Sequence, residues 1–143
     1  MSRKLTRLPL LARLYLLVAA ADVAGAVIAV QTGLAHTGRA IGSGTAINGP
    51  LFFLVAQLAV VTAAVAWRGR RPGMLAAAVL VVMGLASVLS GLGDGSYTAT
   101  LTVVQRAAQI VLVTAITLTI PVAATQVIAA ARRQRTRTSI ASA

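Results

Sequence analysis

The chain has 143 residues, with 13 Lys and Arg, two acids, one His, no Cys, a formal net charge of +11 and a hydrophobic content of 58%. Charged residues make up only 10%, against about a quarter in soluble domains, which excludes a soluble fold, and the hydrophobicity excludes a disordered chain. The missing cysteines exclude disulfides, thiol chemistry, iron–sulfur clusters and Cys-based zinc sites, and an integral membrane protein remains.

In chain order, a basic arm (Arg3, Lys4, Arg7) leads into a first apolar segment at about 10–32, interrupted only by Arg13 and Asp22. Its length suits a span of about 20 residues. Ala24-Gly25-Ala26 loosely resembles a signal-cleavage site, but the apolar stretch is too long for a typical signal and contains Asp22, so an uncleaved span is expected. Gly33 fits a helix stop. Residues 33–49 (GLAHTGRAIGSGTAING) form the predicted outer loop.

A second span, about 50–67, opens at Pro50, a residue suited to a helix start. The basic turn 68–72 follows, with Arg68, Arg70 and Arg71. The third span is expected at about 73–92 and a second outer loop at 93–100, with Ser96 or Thr98 as the helix cap. The fourth span runs from about 101 to 131 and contains Pro121, which removes one backbone bond and predicts a kink. Thr117 is the expected partner for the carbonyl that Pro121 frees. Residues 132–143 form a basic tail.

The apolar runs are continuous rather than alternating, which favours helices over barrel strands. The predicted fold is all-α: one membrane domain over residues 1–143, an antiparallel bundle of four transmembrane helices with no soluble domain. Eleven basic residues (Arg3, Lys4, Arg7, Arg13, Arg68, Arg70, Arg71, Arg132, Arg133, Arg135 and Arg137) fall on one side of this arrangement; Arg39 and Arg106 fall on the other. The excess predicts both termini in the cytoplasm. Tyr15 and Trp67 are expected near the cytoplasmic interface and Tyr97 near the outer one. Arg far outnumbers Lys, a bias common in GC-rich bacterial genomes, so the expected location is a bacterial plasma (inner) membrane.

The informative residues are polar ones inside the predicted spans. Asp22 lies about 18 Å along the first helix from Leu10. A carboxylate at that depth costs about 2.5–3.5 kcal/mol on insertion scales and belongs on an inward face. By helical rise, Gln57, Ser87, Arg106 and Gln109 reach a similar depth, so with Asp22 they form a candidate intramembrane polar cluster. Two readings are open for Arg106: a pair with Asp22, or a side chain reaching for the outer interface. Ala21, Gly25, Ala29 and Gly33 recur every four residues, a small-residue stripe that permits close helix approach within or between chains. On the fourth helix Arg106, Gln109, Thr114, Thr117, Pro121 and Thr125 fall within an arc of about 160°, compatible with a solvated pathway.

Catalytic, cofactor and metal sites are not expected. His36 and Asp94 are isolated in loops, and no nucleophile, thiol or metal constellation accompanies them. The primary functional expectation is a small polytopic protein acting by interaction, as an accessory or scaffold subunit with a homo-oligomeric or membrane-protein partner. The alternative is a small transporter or channel with Asp22 as coupling or binding residue. In four-span size alone the chain is similar to small multidrug transporters, whose membrane-embedded glutamate has no counterpart here. Beyond the bilayer itself, Arg132, Arg133, Arg135 and Arg137 are candidates for contact with anionic lipid. Nucleic-acid binding is not expected, because the charge is split among short membrane-flanking segments.

Overall fold

The computed structural model describes residues 9–93 and 95–141, with side chains described through Gln134 and at Thr136. Arg3, Lys4, Arg7 and Asp94, and the side chains of Arg135 and Arg137, lie outside the described residues. The helices are α1 (Leu10–Gln31), α2 (Thr37–Gly42), α3 (Leu51–Ala66), α4 (Arg71–Gly93) and α5 (Val103–Ala141). Among the described residues there is no strand, only an isolated bridge between Thr45 and Asn48.

α1, α4 and the Val103–Gln134 part of α5 are long and apolar enough to cross a membrane, which makes this a multi-pass membrane protein. α3 is equally apolar but has 16 residues; it rises about 24 Å, short of the ~30 Å hydrocarbon core.

The helices are apolar around their whole circumference, as lipid-facing helices are. α1 nevertheless has one inward seam. Leu11, Tyr15, Val18, Asp22, Gly25 and Ala29 are buried and alternate by four and three residues, the spacing that keeps one face toward a partner. Leu16, Leu17, Val23 and Val27 of the same helix point outward. α5 packs most extensively against α4 and α1, and α4 packs on α3, whereas α1 and α3 touch much less. The core of these contacts is Leu11, Tyr15, Val18, Val61, Ala64, Ala77, Leu80, Leu112 and Ala123. Gly84 brings α4 close to α5, since a Cβ there would sit 2.8 Å from Ile120.

Several expectations are corrected. The 33–49 segment is not all loop: α2 occupies Thr37–Gly42. Asn48 then closes a tight turn, donating to Ala40 O at 2.7 Å and accepting from Thr45 Oγ1 at 2.6 Å. Ile47 is fully buried, so the segment inserts into the bundle. Of the small-residue stripe, Gly25 meets this segment, while Ala21 packs against the core of the bundle. A Cβ on Gly25 would overlap the Ile47 carbonyl oxygen, and Gly33, at φ +71°, ends the helix as expected.

α5 is capped by Thr102 rather than Ser96 or Thr98. Gln105 N donates to Thr102 Oγ1 (3.4 Å) and Thr102 N to Gln105 Oε1 (2.9 Å), the reciprocal arrangement of a capping box. The same helix passes through Pro121 without interruption and on to Ala141, so the basic tail begins on a helix. Thr117 donates to Val113 O rather than serving its own turn. Tyr15 is a core residue, 2% exposed, bonded to the Thr119 hydroxyl, so its ring packs inward rather than outward.

The Gly25–Ile47 contact makes a direct prediction. Gly25→Ala forces the inserted turn to move and destabilises by about 1–3 kcal/mol. Gly42→Ala, where nothing lies within 4 Å of the new methyl, stays within about 0.5 kcal/mol of the parent. Denaturant unfolding in detergent micelles measures both.

Candidate functional site

The five polar residues expected in one layer separate into two groups with different partners. The first group lines a cavity of about 430 Å³, within the roughly 300–1,000 Å³ range of small-molecule sites. All four long helices and the 43–50 segment contribute to it. α1 supplies Asp22, α3 supplies Phe53 and Gln57, α4 supplies Ser87, and α5 supplies Leu112 and Ile116. α1 and α3, which touch little, both line the cavity.

Asp22 is 7% exposed and Gln57 is 4% exposed. Asp22 Oδ1 accepts the Gly49 N–H at 2.6 Å. Among the described residues its second carboxylate oxygen, Oδ2, has no hydrogen bond, and neither has the Gln57 amide. Both residues line the cavity. Ser87 is spent on its own helix, donating to Met83 O at 2.9 Å. The walls are otherwise mainly aliphatic and aromatic, with Phe52, Phe53 and Tyr97 among them.

The second group serves the outer loops. Arg106 Nη1 donates to Tyr97 O (3.0 Å) and to Gln109 Oε1 (2.6 Å), and Nη2 donates to Ala99 O (2.7 Å). Gln109 Nε2 donates to Ala46 O and Ser96 O, each at 2.8 Å. One amide thereby joins the first outer segment to the second. Among the described residues no ion pair links Asp22 to Arg106: the guanidinium is taken up by loop carbonyls and the carboxylate by a backbone N–H.

The rest of the expected polar stripe on α5 turns outward. Thr114, Thr117, Pro121 and Thr125 are exposed, and the Thr117 and Thr125 hydroxyls bond their own helix. The buried threonine of this helix is Thr119, 1% exposed. Thr114, Thr117, Pro121 and Thr125 therefore do not line the Asp22 cavity.

Two site-building residues have sequence signals of their own. Gln105, 4% exposed, donates to Thr32 Oγ1 at 2.7 Å and ties the start of α5 to the end of α1. Thr102-Val103-Val104-Gln105 is a capping-box pattern that marks it. Asn48 precedes Gly49-Pro50, a turn context in which Asn side chains bond nearby backbone. Comparison with protein-family models, curated proteins and solved structures finds no match to this chain.

The loop network makes its own prediction. Gln109→Leu strands the Ala46 and Ser96 carbonyls and costs about 1–3 kcal/mol. Hydrogen-exchange mass spectrometry on this variant shows faster exchange in 43–49 and 95–99 together, with α3 and α4 unaffected.

Proposed function

We propose that the chain is a four-span bacterial inner-membrane protein, both termini cytoplasmic, that binds and moves a small, mostly apolar solute carrying one positive charge. One observation carries this reading: a carboxylate oxygen and a carboxamide, on two deeply buried residues lining a 430 Å³ cavity, have no hydrogen-bond partner among the described residues. Burying a carboxylate in the bilayer is costly, and a single backbone hydrogen bond offsets only part of that cost. A cationic centre beside Asp22 supplies the missing interaction. The rings of Phe52, Phe53 and Tyr97 favour the same charge through their π faces, and the aliphatic wall suits an apolar body.

The accessory or scaffold reading rested on the small-residue stripe. That stripe is occupied within the chain at Gly25 and Ala29, so it lends no support to a partner helix. The remaining apolar surface is of the kind that lipid covers.

The arginine distribution supports the proposed orientation. The segment after α1 reaches an outer position, and α3, although short, crosses with the help of the buried 43–50 turn. The absence of Cys makes the topology test clean. A single Cys at Arg39 is labelled by an impermeant maleimide from outside intact cells, and one at Arg70 only after lysis. Labelling of both from the same side overturns the four-span arrangement.

Binding is tested with tetraphenylphosphonium on protein in lipid nanodiscs. Asp22→Asn keeps an oxygen to accept the Gly49 N–H, so the fold is retained and the variant reports on charge. It weakens binding about tenfold or more, equivalent to roughly 1.4 kcal/mol; Gln57→Leu has a smaller effect in the same direction. Unchanged affinity and unchanged flux in proteoliposomes for Asp22→Asn exclude the reading.

A further inference from the structure

The opposite end of the bundle holds a second, smaller cavity of about 240 Å³. Its wall joins the turn after α3 to the first turn of α4 and the late part of α5, through Arg68, Gly73, Gln126 and Arg133. It is distinct from the Asp22 cavity in place and in charge.

The room for it comes from small residues. Gly69, at φ +81°, makes the turn, and a Cβ there would lie 3.4 Å from Arg133 Nη1. The Arg133 guanidinium therefore rests beside the bare face of Gly69, next to Arg68. Ala129 and Ala130 of α5 and Gly73 of α4 add no bulk; a Cβ on Gly73 would overlap the Trp67 carbonyl, so the turn lies directly on α4. Two arginines from separate elements thus line one pocket.

Neither guanidinium has a hydrogen bond or ion pair among the described residues, and no carboxylate lines the pocket. Gln126 adds an amide to the same wall. Two neighbouring arginines repel each other unless an anion lies between them, and the planar guanidinium matches a phosphate with two parallel N–H···O bonds. The pocket also stands beside Trp67, which is 47% exposed at the end of α3, as interfacial indoles are. That is the depth of lipid headgroups.

We propose that this pocket is a binding site for a phosphate group, held between Arg68 and Arg133 and carried by an anionic lipid headgroup of the adjoining leaflet. It is independent of whether Asp22 binds a cation. All four arginines Arg68, Arg71, Arg132 and Arg133 are exposed, but Arg71 and Arg132 do not line the pocket, so they provide a control of equal charge and exposure.

The experiment is native mass spectrometry of the full chain in neutral detergent, titrated with phosphatidylglycerol. The variant Arg68→Gln with Arg133→Gln retains bound lipid about tenfold less well, whereas Arg71→Gln with Arg132→Gln changes retention less than about twofold. Thermal unfolding of both double variants confirms that each is folded. A parallel arm uses inorganic phosphate in place of lipid. Phosphate bound by the parent and lost only in the pocket variant upholds the site and assigns it to a soluble anion. Equal loss in both double variants, or no loss in either, overturns the proposal.

Discussion

Backbone that leaves a helix inside an apolar medium has no water to bond, so its partners must come from side chains. The segment between α2 and α3 is in that position. It buries Ile47 and presses its carbonyl against Gly25, and four polar side chains serve it or its neighbours. Asp22 takes the Gly49 N–H, Asn48 takes the Ala40 carbonyl, Gln109 takes the Ala46 carbonyl, and Arg106 holds the loop before α5. Remove that requirement and most buried polar residues at this end lose their reason to be there.

The same accounting isolates what remains. After the loops are served, Asp22 Oδ2 and the Gln57 amide are left facing the cavity. Structural demand explains half of the Asp22 carboxylate, and the other half is what points to a ligand. The two ends of the bundle are then chemically opposite. One offers a carboxylate oxygen in a mainly apolar chamber, and the other is lined by two arginines among small residues.

Much of the helix layout was legible from hydropathy. The apolar runs anticipated α1, α3, α4 and the start of α5 within a few residues, because a lipid-exposed helix must be apolar over its whole length; α5 continues past the expected end at 131 into the basic tail. Gly33 as a stop was legible because positive φ favours glycine. The insertion of 43–50 was not, because Ile47 is one apolar residue in a run of Gly, Ser and Thr that resembles any exposed loop. The burial of Tyr15 was not legible for a related reason. An amphipathic ring near a span end suits an interface, but the α1 seam turned it inward onto a hydroxyl of α5.

The candidate site divides in the same way. Sequence alone picked out Asp22, Gln57, Ser87, Arg106 and Gln109, because polar groups at membrane depth are costly whatever surrounds them. Depth is a single coordinate, however, and residues at one depth need not meet. Only the packing of α1, α3 and α5 around the inserted turn decided that Arg106 and Gln109 bond loop carbonyls while Asp22 and Gln57 share a cavity. Partitioning into the bilayer is a property of each segment taken singly and can be read along the chain. Which donor reaches which acceptor depends on rotations and turns that bring residues far apart in sequence, such as Gln109 and Ala46, within hydrogen-bond distance.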